Sequence, residues 1–274
     1  MTKIDFSRIE AEIHRVVREA TESRVITDID CTDYELRTSA LSLFCPTHLA
    51  LSLIYGRPSG NSFAEDYYTG IGTAIHEVVQ RWFPLYGKWK CKNCGKIVET
   101  WGPIICCRTM AKYVEYSLFY KGLTGHCDGI IKLADKIFLL EIKTSNAEKI
   151  KKMKSPKREH ICQANLYAAM VNRCLKLESD IEGHIIIYFD RAKHNNYKIF
   201  VNPGVDYDHS DKMIESYYKT MKLIERKEFT KIKKVCKTKS DAVNRHCPYQ
   251  NICFSPIGVE KHLRNMEHIR NMEV

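Results

Sequence analysis

"GHCDGIIKLADKIFLLEIKTS", residues 125–145, sets Asp128, Glu141 and Lys143 among a run of Ile and Leu residues. Side chains alternate along a strand, so Glu141 and Lys143 share one face while Leu140 and Ile142 take the other. A turn near Asp135 folds "GHCDGII" back along "IFLLEIK", which brings Asp128 close to Glu141. Two carboxylates at that range repel, and each is costly among apolar neighbours unless a cation joins them. A hard divalent ion, Mg²⁺ or Mn²⁺, satisfies both and can polarise a phosphoryl oxygen or activate a bound water. Lys143, beside it, is placed to steady the developing negative charge.

Taken alone, Glu-x-Lys is a common surface pair, so the neighbouring segments carry weight. Downstream, Gln163 and Tyr167 in "QANLY" stand four residues apart on one helical face and can reach the polar edge of the sheet. Upstream, "GTAIHEVVQRWF" reads as a helix whose apolar stripe is Ile75, Val78, Val79 and Trp82, with His76 beside it.

The rest of the chain surrounds these segments. Apolar spacing predicts a helix near residues 6–22 and another in "THLALSLIYG", with Pro46 near its start and Gly56 near its end. Residues 88–108 break the helical pattern and read as a small insertion held by metal. Residues 111–145 read as three antiparallel strands with turns at Lys121-Gly122 and near Asp135. A basic segment, a helix in "ICQANLYAAMVNRCLKL", a strand pair within residues 183–202 and a polar helix near 208–228 follow. This order predicts a mixed α/β fold around a central sheet.

The 274 residues suit a single domain spanning 1–274, with residues 88–108 inserted in it. Lys plus Arg number 43 against 33 Asp plus Glu, a formal charge of +10 that favours a polyanionic partner. The longest apolar stretch, "LSLFCPTHLALSLIY", is short for a membrane span and contains Pro46 and His48. No apolar signal region opens the chain, so an intracellular, cytoplasmic protein without membrane partners is expected. In a reducing compartment its 12 cysteines are metal ligands or buried thiols rather than disulfides.

Within residues 88–108, "CKNCG" is half of a zinc knuckle: Cys91 and Cys94 two residues apart, with Gly95 permitting the tight turn. Cys106 and Cys107 complete the candidate set. Adjacent cysteines point apart in an extended chain, so the alternative is one of them plus a ligand from elsewhere, such as His126.

"GHCDGI", "LEIKTS" and "QANLY", in this order and spacing, resemble motifs of the PD-(D/E)XK nuclease superfamily in its RecB-like branch. "GTAIHEVVQRW" resembles that branch's helix with a metal-binding histidine. The resemblance covers roughly residues 40–255; the proline of the superfamily's name is absent, Cys127 standing before Asp128. It implies a restriction-endonuclease-like core, a mixed central sheet flanked by helices. His76, Asp128, Glu141 and the Ile142 carbonyl would hold the metal, Lys143 would assist the attacking water, and Gln163 and Tyr167 would position the scissile strand and Lys143.

One early cysteine and three late ones, Cys45, Cys236, Cys247 and Cys253, resemble the iron–sulfur arrangement of RecB-like nucleases, including the Cas-four CRISPR-adaptation nucleases. Four thiolates suit a [4Fe–4S] cluster, which would join Cys45 to the segment 236–255. The gap between Cys236 and Cys247 is longer than usual in that arrangement, and spacing leaves a zinc site or buried thiols open. The implied activity is exonucleolytic hydrolysis of DNA at single-stranded ends, 5′-to-3′ among its forms, in recombination, repair or replication. Such stand-alone enzymes occur in phage, in which case the site of action is the host cytoplasm. Two alternatives are a CRISPR-adaptation nuclease that trims DNA before integration and a non-catalytic nucleic-acid-binding module.

Lys149, Lys151, Lys152, Lys154, Lys157 and Arg158 follow the Glu-x-Lys strand directly, with Lys152, Lys154, Lys157 and Arg158 the candidate DNA phosphate contacts. "KEFTKIKKVCKTK" is a second basic patch. Tyr113, Tyr116, Phe119 and Tyr120 offer stacking surfaces for bases, but their periodicity reads more simply as strand and core.

Overall fold

The computed structural model describes residue 15, residue 41, and residues 45–55, 63–133, 135–238, 247 and 249–270. The helix expected near residues 6–22 lies outside these, apart from residue 15. The fold is α/β, with a mixed central sheet flanked by helices.

Two helices come first, α1 (Pro46–Tyr55) and α2 (Phe63–Trp82). Strands β1 (Leu85–Lys90), β2 (Ile97–Trp101), β3 (Ile105–Cys106), β4 (Thr109–Met110) and β5 (Lys112–Val114) follow. Next come β6 (Tyr116–Tyr120), β7 (Leu123–Cys127), β8 (Gly129–Leu133) and β9 (Lys136–Ser145). The remainder is α3 (Ala147–Lys152), α4 (Arg158–Cys174), β10 (Ile181–Asp190), β11 (Tyr197–Pro203), α5 (Tyr207–Glu225), α6 (Gln250–Cys253) and α7 (Gly258–Arg270).

The central sheet runs β11-β10-β9-β8-β1-β2, with β5 also on β1. All its neighbours are antiparallel except β9 and β10, whose parallel pairing is made by the crossover through α3 and α4. Being buried on both faces, β9 is apolar at both sets of alternating positions. Ile137 and Leu139 pack under α4 and α5, with Leu166, Met170 and Met213. Leu140 and Ile142 pack on the other face, with Trp89, Ile185 and Val79 of α2. A third apolar cluster joins α1 to α7 through Leu51, Phe229, Tyr249 and Leu263.

Two expectations change. The segment 88–108 is not set apart from the sheet: it begins in β1 and contains β2, because Trp89 and Lys90 alternate with the buried face while pairing with Val98 and Ile97. The three strands expected over 111–145 are five, and β6–β7 form a separate two-stranded sheet beside α4. The turns at Lys121-Gly122 and Asp135 are present, with left-handed φ of 48°, 70° and 62°. Tyr113 and Tyr116 are core residues, as periodicity suggested, but Phe119 is exposed. Among the described residues no helix is long and apolar enough to cross a membrane.

The chain steps from β7 to β8 at Asp128. Gly129 follows because any Cβ there would come within 2.9 Å of the Leu85 side chain on β1. This close approach aligns Leu85 with Ile131 and Tyr86 with Ile130.

Replacing Leu139, wholly buried under α4, with Ala is expected to lower unfolding free energy by about 2–5 kcal/mol, measured by urea titration. Burial also pushes the imidazole of His184, on β10, down to about 4. An unfolded histidine takes its proton near pH 6.5, so this contribution is intact above that value and is lost as pH falls toward 4. Urea midpoints between pH 7.5 and 5 should therefore fall more steeply for the wild type than for His184→Leu.

Candidate active site and metal centres

Strand β8 starts at Gly129, opposite Leu140, whereas β9 continues to Ser145. The edge of β9 beyond Leu140 thus faces the step at Asp128 rather than a paired strand. Asp128 occupies it: its Oδ2 accepts the Ile142 N–H at 2.6 Å. In a strand the N–H and C=O of one residue point to the same edge, so the Ile142 carbonyl faces this point too.

His76, reaching from α2, lies with Nδ1 3.3 Å from Asp128 Oδ1. Burial works against a charge on His76, but its hydrogen bond to Asp128 and the carboxylate's charge outweigh it and raise its pKa. Glu141 is 2% exposed, and its Oε1 is 2.5 Å from Lys143 Nζ. Its Oε2 is buried without a hydrogen-bond partner. Burial first, and then the Asp128 charge, push Glu141 up to about 7 despite Lys143. Burial opposes the Lys143 charge as well, but Glu141 and Asp128 prevail and raise its pKa.

On the α4 side, Lys143 donates to Gln163 Oε1 at 3.3 Å, and Gln163 Nε2 donates to the Tyr167 hydroxyl at 3.2 Å. Arg158, Lys152 and Lys154 are exposed on the approach to α4. Lys157 belongs to the site's border: its N–H donates to the hydroxyl of Tyr188, which pairs in register with Lys143. The second basic patch is tied up locally, with Lys231 on Glu228 and Lys234 over the Phe254 ring.

Sequence reasoning missed two residues. Ligand atoms of His76, Asp128 and Glu115 all lie within 4.8 Å of one another. Gln80, one helical turn after His76, donates to Glu115 Oε1 at 2.7 Å and to the Asp128 carbonyl at 2.9 Å. The signal available for Gln80 was its four-residue spacing from His76; Glu115, alternating with Tyr113, carried none that distinguished it.

This donor set fits a hard divalent ion. His76, Asp128 and Glu115 supply an imidazole and two carboxylates; Glu141, expected from the sequence as a ligand, is not in that group with all atoms within 4.8 Å, although its Oε2 is buried and unpartnered. A cation there would offset the Asp128 repulsion that adds to burial in raising the Glu141 pKa.

The sulfur ligands of Cys91, Cys94, Cys106 and Cys107 also lie within 4.8 Å of one another, close enough to bind a metal. Gly95, at φ 72°, closes the turn by donating to the Cys91 carbonyl. The adjacent pair is not extended: Cys107 and Arg108 take left-handed φ of 51° and 61° at the tip of the β3–β4 hairpin. That turn places the Cys106 and Cys107 sulfurs 3.9 Å apart, with Cys94 Sγ 3.8 Å from Cys106. Thiolates on one tetrahedral zinc stand roughly 3.8 Å apart. Backbone N–H groups of Cys94 and Asn93 draw Cys91 down to about 6, while its neighbours, Cys91 foremost, push Cys106 up to about 12. His126 takes no part; it is exposed and pairs with Ser117.

Cys253 and Cys236 are buried and Cys45 and Cys247 half-buried; Cys253 and Cys247 belong to the third apolar cluster. Burial, followed by the charges of Cys247, Cys45 and Cys236, pushes Cys253 up to about 12. Among the described residues they are not a set with every sulfur within 4.8 Å. His48 Nδ1 lies 3.4 Å from Cys247 Sγ, a contact the sequence did not suggest.

Compared with protein-family models and with curated proteins, the chain matches none.

Purified protein is expected to contain one zinc at the knuckle, measured by plasma mass spectrometry. Cys94→Ser, which removes an exposed sulfur without opening the core, should lose that zinc and lower the melting temperature.

Proposed function

We propose that the chain is a divalent-metal-dependent deoxyribonuclease of the PD-(D/E)XK type, with a restriction-endonuclease-like core and an exonuclease's preference for single-stranded ends. The observation that carries this reading is the convergence of four separate stretches on one point. His76, Asp128, the Glu141–Lys143 strand and the Gln163–Tyr167 helix face meet where β9 outruns β8. A mixed sheet with a parallel β9–β10 crossover is compatible with such a core.

Mg²⁺ or Mn²⁺, when bound, supplies electrostatic pull on the scissile phosphoryl oxygen and a water of lowered pKa for in-line attack. Asp128, Glu141 and the Ile142 carbonyl would hold it, with His76 and Glu115 as further donors. Lys143, charged because two carboxylates face it, donates toward the water or the phosphoryl oxygen and stabilises the charge that grows there in the transition state. Gln163 fixes the direction of Lys143, and Tyr167 fixes Gln163. The exposed Lys152, Lys154 and Arg158, with Lys157, are suited to hold the DNA backbone on the α4 side.

A zinc knuckle at Cys91, Cys94, Cys106 and Cys107 stabilises the β1–β2 end of the sheet in this reading. A [4Fe–4S] cluster on Cys45, Cys236, Cys247 and Cys253 ties α1 to the C-terminal helices. The cluster is preferred to a second zinc on the resemblance of these four cysteines to the iron–sulfur arrangement alone.

With Mg²⁺ or Mn²⁺, the wild type should shorten end-labelled single-stranded DNA, and chelation should stop it. Lys143→Ala should slow cleavage by about 100-fold or more, and Asp128→Ala should abolish it. Equal degradation by all three proteins, or by none, would remove the nuclease reading. A brown protein absorbing near roughly 400 nm, with the colour lost in Cys253→Ser, would support the cluster; a colourless protein with zinc at those cysteines would replace it.

A further inference from the structure

Tyr68, Gly72, His76 and Gln80 recur every four residues, so they form one row along α2. This row floors a cavity of about 680 Å³ whose other wall includes Lys112, Glu115 and Arg191. The far end of the groove from Gln80 is aromatic and open. Tyr68 is 50% exposed, and the Arg191 guanidinium lies 4.7 Å from its ring centroid. Arg191 is itself held by its Nε–H donating to Thr144 Oγ1 at 3.3 Å, one residue beyond Lys143. Phe63 and Tyr67 continue the exposed aromatic surface, their rings stacked at 6.2 Å.

Gly72 fits no packing demand. A Cβ there would make only an ordinary 3.5 Å contact with Thr144, and its φ is not left-handed. A glycine in a helix interior costs about 1 kcal/mol relative to alanine, yet this one keeps the groove floor low between Tyr68 and His76. Of the groove's acids, Glu77 pairs with Lys112 at 2.7 Å, and Glu115 is held by a hydrogen bond from Gln80.

We propose that Tyr68 and Arg191 form a platform for an unpaired nucleotide, the tyrosine stacking on its base and the arginine holding its phosphate, on a DNA strand threaded along α2 toward His76. This rests on the nuclease reading of the same groove. It assigns the substrate class as single-stranded DNA, because in a duplex both faces of a base are already stacked. Tyr68 and His76 are two turns apart, about 12 Å along the axis. The stacked nucleotide therefore lies roughly two to four nucleotides from the phosphate at the metal site.

The test is fluorescence anisotropy with Ca²⁺ in place of Mg²⁺, comparing a labelled single strand with a blunt duplex. Tyr68→Ala and Arg191→Gln should each weaken single-strand binding by about tenfold, Tyr68→Phe should retain it, and duplex binding should not change. 2-Aminopurine placed two to four nucleotides from the strand end should be quenched by wild type and not by Tyr68→Ala. Single-strand affinity of Tyr68→Ala within twofold of wild type, or an equal loss on the duplex, overturns the proposal. Wild-type hydrolysis of bis(p-nitrophenyl) phosphate, too small to span from the metal site to Tyr68, reports on the metal centre separately. If the wild type hydrolyses neither it nor DNA while strand binding still depends on Tyr68, the nuclease reading falls and the platform stands.

Discussion

The hydrogen bond from the Ile142 N–H to the Asp128 carboxylate is the contact on which the candidate site depends. A backbone N–H on a buried strand edge must find an acceptor, and β9 runs past the strand that would have supplied one. Asp128 answers for the missing strand with its side chain. That fixes where the chain leaves the β6–β7 sheet, where Gly129 enters the central one, and hence how closely β8 sits against Leu85. The same bond leaves the second oxygen of Asp128 turned toward His76. Structural need and chemical opportunity thus act on one carboxylate.

Around it the charges do not balance by pairing alone. Asp128, Glu141 and Glu115 face Lys143 and His76, and Glu141 retains a buried oxygen without a hydrogen-bond partner. Burial this deep normally drives a carboxyl toward its neutral form, and that is the direction in which Glu141 moves. A cation bound there would offset these charges. Lys143 is too committed to Glu141 and Gln163 to serve all three acids.

Much of this was legible in residues 125–145, because strand alternation and one turn suffice to bring Asp128 to Glu141. The spacing of Gln163 and Tyr167 likewise marked the helix face that meets Lys143. Glu115 was not legible, since its nearness to His76 arises from β5 pairing with β1, a register that local pattern does not express. Residues 63–71 of α2 were missed because their exposed aromatics and Gly70 carry no apolar stripe. Cys106-Cys107 misled for a conformational reason: alternation assumes an extended backbone, and left-handed turns at Cys107 and Arg108 void that assumption.

Strand β1 has a consequence for how the sheet is assembled. It pairs with β2 and β5, which are close in sequence, and with β8, which is distant. Local pairings close small loops and form early, whereas the β1–β8 contact must wait for a long loop to be ordered. The cysteine turn lies inside the local unit, between β1 and β2, and joins it to the β3–β4 hairpin. A metal captured there would make a prefolded edge against which β8 can dock. The order of folding would then run from the knuckle inward, and the carboxylates would meet only in its last step.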